Sequence, residues 1–108
     1  MLIVTSTIDA RADTFDELRA LSLGHVARSR AELGCLEHGV TIDANDGLRI
    51  IFFERWADGP ALDAHFKVPA SRAFGAKVVA LAAHSARLRR PAGADSRGRC
   101  GHGSRRYG

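Results

Sequence analysis

Cysteines and long apolar stretches are both scarce in this chain. The two cysteines, Cys35 and Cys100, are too few and too far apart for a disulfide framework, so a reducing cytoplasm is the expected compartment. No stretch approaches the roughly 18 apolar residues of a membrane span, and the first residues lack the pattern of a secretory signal. The sequence therefore predicts a cytoplasmic protein with no membrane partner.

Motifs for hydrolysis and phosphoryl transfer are missing as well. There is no glycine-rich phosphate loop, no G-x-S-x-G turn, and no nucleophile at a recognisable spacing from a base. Cys35 with His38, and Cys100 with His102, each offer two ligands, whereas a structural zinc site needs four on a fixed frame. No metal site and no cofactor are predicted.

Acidic residues are nearly absent from the end of the chain, and this explains the net charge of +4. Residues 1–86 hold nine Lys and Arg against eleven Asp and Glu, whereas residues 87–108 hold seven Arg against Asp95 alone. The last segment, 91–108, has no apolar periodicity, so it is predicted to be a disordered Arg/Gly-rich tail. With only Tyr107 available for stacking, a solvated extension is favoured over nucleic-acid or membrane binding, and the folded domain, 1–90, is not expected to bind nucleic acid.

The 45% hydrophobic content of the 108 residues fits one globular domain. Leu2–Ile8 is rich in β-branched residues and predicts a strand. Thr14 and Glu17 have capping-box spacing, which predicts a helix start. The helix is expected to run to about Leu33, where Gly34 can take the left-handed conformation that closes helices.

The apolar stripe of this helix is interrupted by small polar residues. Two interpretations are open: a buried helix with satisfied polar groups, or a helix that lines a cavity for a polar ligand. The first is favoured, because buried polar groups usually find backbone partners. The apolar members are Phe15, Leu18, Val26 and Leu33, and the polar members are Ser22, His25 and Ser29.

Cys35–Asp43 and Leu48–Trp56 predict an antiparallel hairpin, because residues 44–47 include Asn, Asp and Gly, which tolerate positive φ. Alternation along the second strand puts Ile50, Phe52, Glu54 and Trp56 on one face, and Arg49, Ile51, Phe53 and Arg55 on the other. Both faces carry bulky apolar residues, whereas the open side of a one-layer sheet is normally polar. A second copy of the chain covering the open face, in a homodimer, is expected.

The remaining elements complete a recognisable order. Asp58 can cap a helix with Pro60 in its first turn, and Pro69 is expected to interrupt that helix. A second helical segment is predicted from about Ala70 to His84, and Ser85–Arg90 is a candidate short last strand. The order is that of the α+β ferredoxin-like fold, βαββαβ.

Three stretches in order, SRAELGCLEH (29–38), FFERW (52–56) and ALDAHF (61–66), resemble the antibiotic biosynthesis monooxygenase (ABM) family, and the resemblance spans residues 1–83. It implies a ferredoxin-like sandwich that forms a dimeric α+β barrel. Family members include cofactor-independent oxygenases of quinols and anthrones, haem-degrading enzymes, and isomerases of small sugar-like signals.

The resemblance also implies site residues. Trp56 matches the family tryptophan that lines the pocket, His65 matches the histidine on the neighbouring helix, and His38 stands where many members carry a tyrosine; these three are the predicted catalytic residues. For Trp56 the alternative is core packing, for His65 a half-exposed surface position, and for Glu54 a structural pairing with an arginine. The predicted substrate pocket comprises His25, Ser22, Ser29, Phe52, Glu54, Phe66 and Phe74.

The predicted function is cofactor-independent monooxygenation of a quinol, anthrone or other polycyclic phenol, with a small aromatic substrate and dioxygen as partners. The alternative is a non-catalytic ligand-binding or stress-associated dimer module. At two positions the sequence lacks a histidine that family members use for a specific activity. Gly75 stands where haem-degrading members place an axial histidine, and Ala70 stands where quinol-oxidising members often have one.

Overall fold

A computed structural model describes residues 1–92 and contains one four-stranded sheet and three helices. The sheet order is β2-β3-β1-β4, and each neighbouring pair is antiparallel. This confirms the predicted ferredoxin-like α+β class. The elements are β1 (Leu2–Ala10), α1 (Phe15–Ser29), β2 (Cys35–Asp43), β3 (Asp46–Trp56), α2 (Gly59–Lys67), α3 (Pro69–Leu81) and β4 (Ala82–Pro91).

The helices cover one face of the sheet, and the core lies between the two layers. Alternate residues of β1 and β3 point toward the helices because successive strand side chains take opposite faces. One buried apolar cluster packs these residues against α1 and α3, and a smaller one packs them against α2. The first holds Ile8, Ala10, Leu18, Val26, Ile50, Phe52 and Val78; the second holds Val4, Trp56 and Leu62.

Helix α1 begins where predicted but not through the predicted capping box. The Thr14 hydroxyl donates to the carbonyl of Leu81 at 2.9 Å and accepts from the amide of Arg11 at 3.1 Å, and it makes no cap bond to α1. The capping-box prediction is therefore wrong. The hydroxyl joins the start of α1 to the end of α3 instead.

The same helix ends at Ser29, earlier than the predicted Leu33. The Ser29 hydroxyl donates back to the His25 carbonyl at 2.7 Å, and the amide of Glu32 then bonds to the Ser29 carbonyl in a tighter turn. Leu33 is 95% exposed, so its assignment to the buried stripe is wrong. Gly34 does take the predicted left-handed backbone (φ 83°), and a Cβ there would collide with that of Ala61.

The second helical region divides as predicted. Asp58 Oδ1 accepts from the Ala61 amide at 2.9 Å and caps α2. Val68 is extended, as a residue before proline prefers, and Pro69 opens α3. Helix α3 ends at Leu81 rather than at the predicted His84, because the chain from Ala82 onward pairs with β1.

The β2–β3 turn differs in detail from the prediction. It consists of Ala44 and Asn45, and none of its residues has positive φ. Side-chain carboxylates shape it: Asp43 accepts from the Asn45 amide at 2.8 Å, and Asp46 accepts from the Leu48 amide at 3.0 Å. The turn is thus built on Asx-type bonds.

Strand β4 is longer than the predicted Ser85–Arg90. It pairs with β1 from Ala82, opposite Ala10, to Pro91, opposite Leu2, so the folded domain extends past residue 90. The rest of the predicted tail lies outside the described residues. Of the helices in residues 1–92, none is long and apolar enough to cross a membrane.

None of the helices in residues 1–92 lies over the other face of the sheet. As predicted, Ile51 and Phe53 point to this side, and Phe53 is 39% exposed. Ion pairs flank the apolar centre: Arg49 with Asp9 at 2.7 Å near one end of the strands, and Arg55 with Glu37 at 2.6 Å near the other.

Candidate functional site

A cavity of about 260 Å³ lies between the sheet and the helices. Strands β1, β3 and β4 form its floor, and residues of all three helices form its walls. Six of the predicted site residues line it: His25, Phe52, Glu54, His65, Phe66 and Phe74. Three phenylalanine and two histidine rings are part of this lining, which suits a flat aromatic ligand.

Three histidines from three different elements meet at the inner end of this region. His25 comes from α1, His38 from β2 and His65 from α2, and all three are buried. One ring nitrogen of each lies within 4.8 Å of those of the other two. Ring centroids are separated by 5.2 Å for His25 and His65, and by 5.7 Å for His38 and His65.

Two glutamates hold two of these imidazoles from behind. His65 Nδ1 lies 2.8 Å from Glu32 Oε1, which fixes the ring and leaves Nε2 free. His38 Nε2 lies 3.4 Å from Glu54 Oε1, an ion-pair distance rather than an aligned hydrogen bond. The same Glu54 oxygen accepts from the Trp56 indole N–H at 2.9 Å.

Burial and neighbouring charge set the protonation states here. Burial, followed by the proximity of His38 and His65, lowers the pKa of His25 to about 4, so this imidazole is neutral at neutral pH. Burial raises the pKa of Glu54, but the contacts with His38 and the Trp56 N–H outweigh it, and the net pKa is lowered. The site thus combines an ionised carboxylate with a neutral imidazole.

A guanidinium stands on the β4 side of the cavity. Arg87 is exposed, and its Cζ lies 4.6 Å from the centre of the Phe66 ring. It also lines the cavity, so a bound ligand would meet a cation there. Opposite, the His25 ring stacks on Phe74 with centroids 4.3 Å apart.

Four predicted site residues lie elsewhere. Trp56 and His38 are fully buried beneath Glu54 and His65 and do not line the cavity. Ser29 donates to the backbone of its own helix and is not part of the cavity lining. Ser22 lines a separate cavity of about 110 Å³ beside Val40 and Ile50.

The predicted site included His25, His38 and His65 but not Glu32 or Arg87, and it did not indicate that the three imidazoles converge on one point. The predicted helix to Leu33 includes Glu32, whereas the early end of α1 turns Glu32 toward His65. The signal for Arg87 is its alternation with Leu88 in the last strand, which places the two side chains on opposite faces of the sheet. His25, His38 and His65 lie on three different elements, so their spacing in the sequence does not match a local metal-ligand motif.

The sequence profile of the antibiotic biosynthesis monooxygenase family matches residues 1–77. The uncharacterized protein sll1783 of Synechocystis is 32% identical over 88 residues, which make up 82% of this chain and 60% of that protein's length. Rv0793 from Mycobacterium tuberculosis is 28% identical with a TM-score of 0.79, over 83% of this chain and 92% of that one. A Deinococcus radiodurans structure has a TM-score of 0.83 at 24% identity, over 86% and 93%, which shows the shared fold. The profile covers β1 to α3, and the chain therefore belongs to the antibiotic biosynthesis monooxygenase family.

Proposed function

We propose that the protein is a monooxygenase that uses dioxygen to oxidise a quinol, anthrone or related polycyclic phenol in the cavity. The observation that carries the proposal is the His65–Glu32 pair on the wall of a cavity lined with aromatic rings. Such a pair suits removal of a phenolic proton, because the carboxylate fixes the tautomer and stabilises the imidazolium that forms.

The proposed reaction needs no electrons from outside the substrate. For an anthrone, deprotonation gives an electron-rich anion whose former CH₂ carbon reacts with dioxygen and a proton to give a hydroperoxide. Loss of water then leaves one oxygen atom as a carbonyl, so that the CH₂ group and O₂ become a C=O group and H₂O. Four electrons pass from the carbon to dioxygen, and the two hydrogens leave with the second oxygen atom.

Each part of the site has a role in this proposal. His65 Nε2 accepts the phenolic proton, and Glu32 is a positioning residue behind it. Phe66 and Phe74 hold the flat rings of the substrate, and Arg87 attracts substrate with an anionic group near the β4 side. His25 is a poor proton acceptor at neutral pH, since burial lowers its pKa to about 4.

We also propose that the working unit is a homodimer in which the open sheet faces pack together. Phe53, Leu88 and Ile51 form an apolar centre on this face, and Phe53 and Leu88 are 39% and 47% exposed. The ion pairs at both ends of the strands leave this centre free of unpaired charge. A cytoplasmic location is proposed with it, since Cys35 is a free thiol.

The test is dioxygen consumption by chelator-treated protein with a panel of anthrones and hydroquinones. We expect uptake with at least one compound and formation of the carbonyl product, with a loss of roughly 10²–10⁴-fold in His65→Ala, as is typical for a general base. His84→Ala is the matched control, because His84 is exposed on β4, away from the cavity lining.

Two results would contradict the proposal. One is the absence of uptake by folded protein with every compound. The other is uptake that His65→Ala leaves unchanged. Thermal shifts with these compounds but no turnover would favour the non-catalytic binding module instead.

A further inference from the structure

We propose that His25, His38 and His65 together bind one divalent first-row transition metal ion. This inference rests on the geometry of the three imidazoles and goes beyond the proposed function. It also revises the prediction that the chain has no metal site. That prediction rested on the pairs Cys35 with His38 and Cys100 with His102 alone.

The three nitrogens are close to the arrangement that an ion needs. Two nitrogens bound to one tetrahedral zinc at 2.0–2.1 Å lie about 3.3 Å apart. The corresponding atoms of the three histidines lie within 4.8 Å of one another, so small changes of side-chain torsion bring them to bonding distance. Because the residues come from α1, β2 and α2, the packed fold itself holds them together.

The unpaired nitrogens of His25 and His38 indicate metal ligands rather than ordinary core histidines. His38 has a fully buried side chain, and its Nδ1 has no hydrogen-bond partner among the described residues; the same is true of Nδ1 in buried His25. Buried polar atoms of folded proteins are nearly always paired, so unpaired nitrogens on adjacent rings call for a ligand. A Lewis-acidic cation would take one nitrogen from each ring.

The glutamates supply what such an ion requires around it. Metal-bound imidazoles typically make a hydrogen bond through the second nitrogen, often to a carboxylate. Glu32 stands behind His65 at 2.8 Å, and Glu54 stands behind His38 at 3.4 Å. Two carboxylates also balance the charge of a buried dication, which would otherwise be strongly disfavoured.

The three imidazole donors limit which metal ions can bind and what kind of site they form. Three neutral imidazoles suit zinc, cobalt, nickel, copper or ferrous iron and not magnesium or calcium, which prefer oxygen ligands. Three protein ligands leave a fourth position open, as in catalytic rather than structural zinc sites. His25 and His65 line the cavity, so an ion bound to them would lie beside the substrate space.

Metal binding and the proposed proton transfer compete for one atom. His65 Nε2 cannot hold an ion and accept a proton at the same time. Where both proposals hold, Zn²⁺ inhibits dioxygen uptake and a chelator restores it. Binding without inhibition would leave the metal site standing and count against His65 as the base.

The direct test is titration of chelator-treated, untagged protein with Co²⁺, followed by visible absorption, and displacement by Zn²⁺. We expect one ion per chain, intense bands of four- or five-coordinate cobalt, and no thiolate charge-transfer band. His25→Ala and His65→Ala should each weaken binding by more than about 100-fold, and Glu32→Gln by about 10–100-fold, the range for carboxylates behind metal ligands.

Two control variants address other ligands. His84→Ala removes an exposed histidine, and Cys100→Ser with His102→Ala removes the thiol and imidazole beyond the described residues; both should bind as the parent does. Circular dichroism checks folding, and if His25→Ala fails to fold, Glu32→Gln keeps the test open because Glu32 lies in a turn. Absence of saturable Co²⁺ binding, a thiolate band, or unchanged affinity in folded His65→Ala would overturn the proposal.

Discussion

Each face of strand β3 departs from the usual pattern of a protein sheet at one position. The face beneath the helices holds a carboxylate, Glu54, and meets three buried histidines. The face away from the helices exposes Phe53 at its centre. Polar groups are thus buried where a ligand can use them, and apolar groups are exposed where a second chain can cover them.

The difference between the two faces shows how strand β3 can contribute both to the candidate site and to a proposed interface. Side-chain alternation separates the faces completely, so a change on one face leaves the other in place. We therefore expect substitutions under the helices to affect stability and chemistry, and substitutions on the open face to affect association. Four changes test this division, in order of decreasing effect.

Replacing Trp56 by Ala should destabilise the fold by about 3–5 kcal/mol, the range for truncating a large buried aromatic side chain. Trp56 is fully buried, and its loss also removes the N–H bond to Glu54. Urea unfolding at high dilution measures the effect. Phe53→Ala on the opposite face is the comparison, and an equal loss in both would contradict the division.

Phe53→Asp should weaken self-association by more than about 100-fold, because it puts a charge into the proposed apolar interface. Analytical ultracentrifugation over a range of concentrations measures this. Leu33→Asp is the control, since Leu33 is 95% exposed and lies outside the sheet. A dimer that survives Phe53→Asp would place the interface elsewhere.

Glu54→Gln should destabilise the protein by about 1–3 kcal/mol, because the buried carboxylate loses its contact with His38 while the amide oxygen can still accept from Trp56. Glu37→Gln breaks the exposed pair with Arg55 on the other face, and we expect about 0.2–1 kcal/mol there. Chemical denaturation of both variants gives the comparison. Equal values would mean that burial does not distinguish the two pairs.

Arg87→Ala should raise KM about tenfold for an anionic phenol and leave KM for a neutral one nearly unchanged, corresponding to about 1.4 kcal/mol of lost attraction. Arg89→Ala is the matched control, because Arg89 pairs with Asp63 at 3.8 Å. Steady-state dioxygen uptake measures both. An equal change for the two substrates would remove Arg87 from substrate recognition.

Sequence motifs predicted the ends of helices correctly where neighbouring residues alone determine them. The Asp58 cap, the break at Pro69 and the left-handed Gly34 each depend on a few neighbouring residues, and the structure confirms them. The predicted cap of α1 and the predicted limits of β4 were wrong because distant partners decide them. Thr14 bonds to Leu81, and Ala82 pairs with β1 rather than extending α3.

The sequence by itself determined the order of strands and helices, the two-sided apolar character of β3 and the family. Periodicity and capping are properties of short stretches, and the family motifs are contiguous. Only the tertiary structure decided that α1 ends early enough for Glu32 to reach His65, and that three histidines from separate elements share one buried space. These features depend on distances between residues far apart in the chain, which only the packing of helices on the sheet sets.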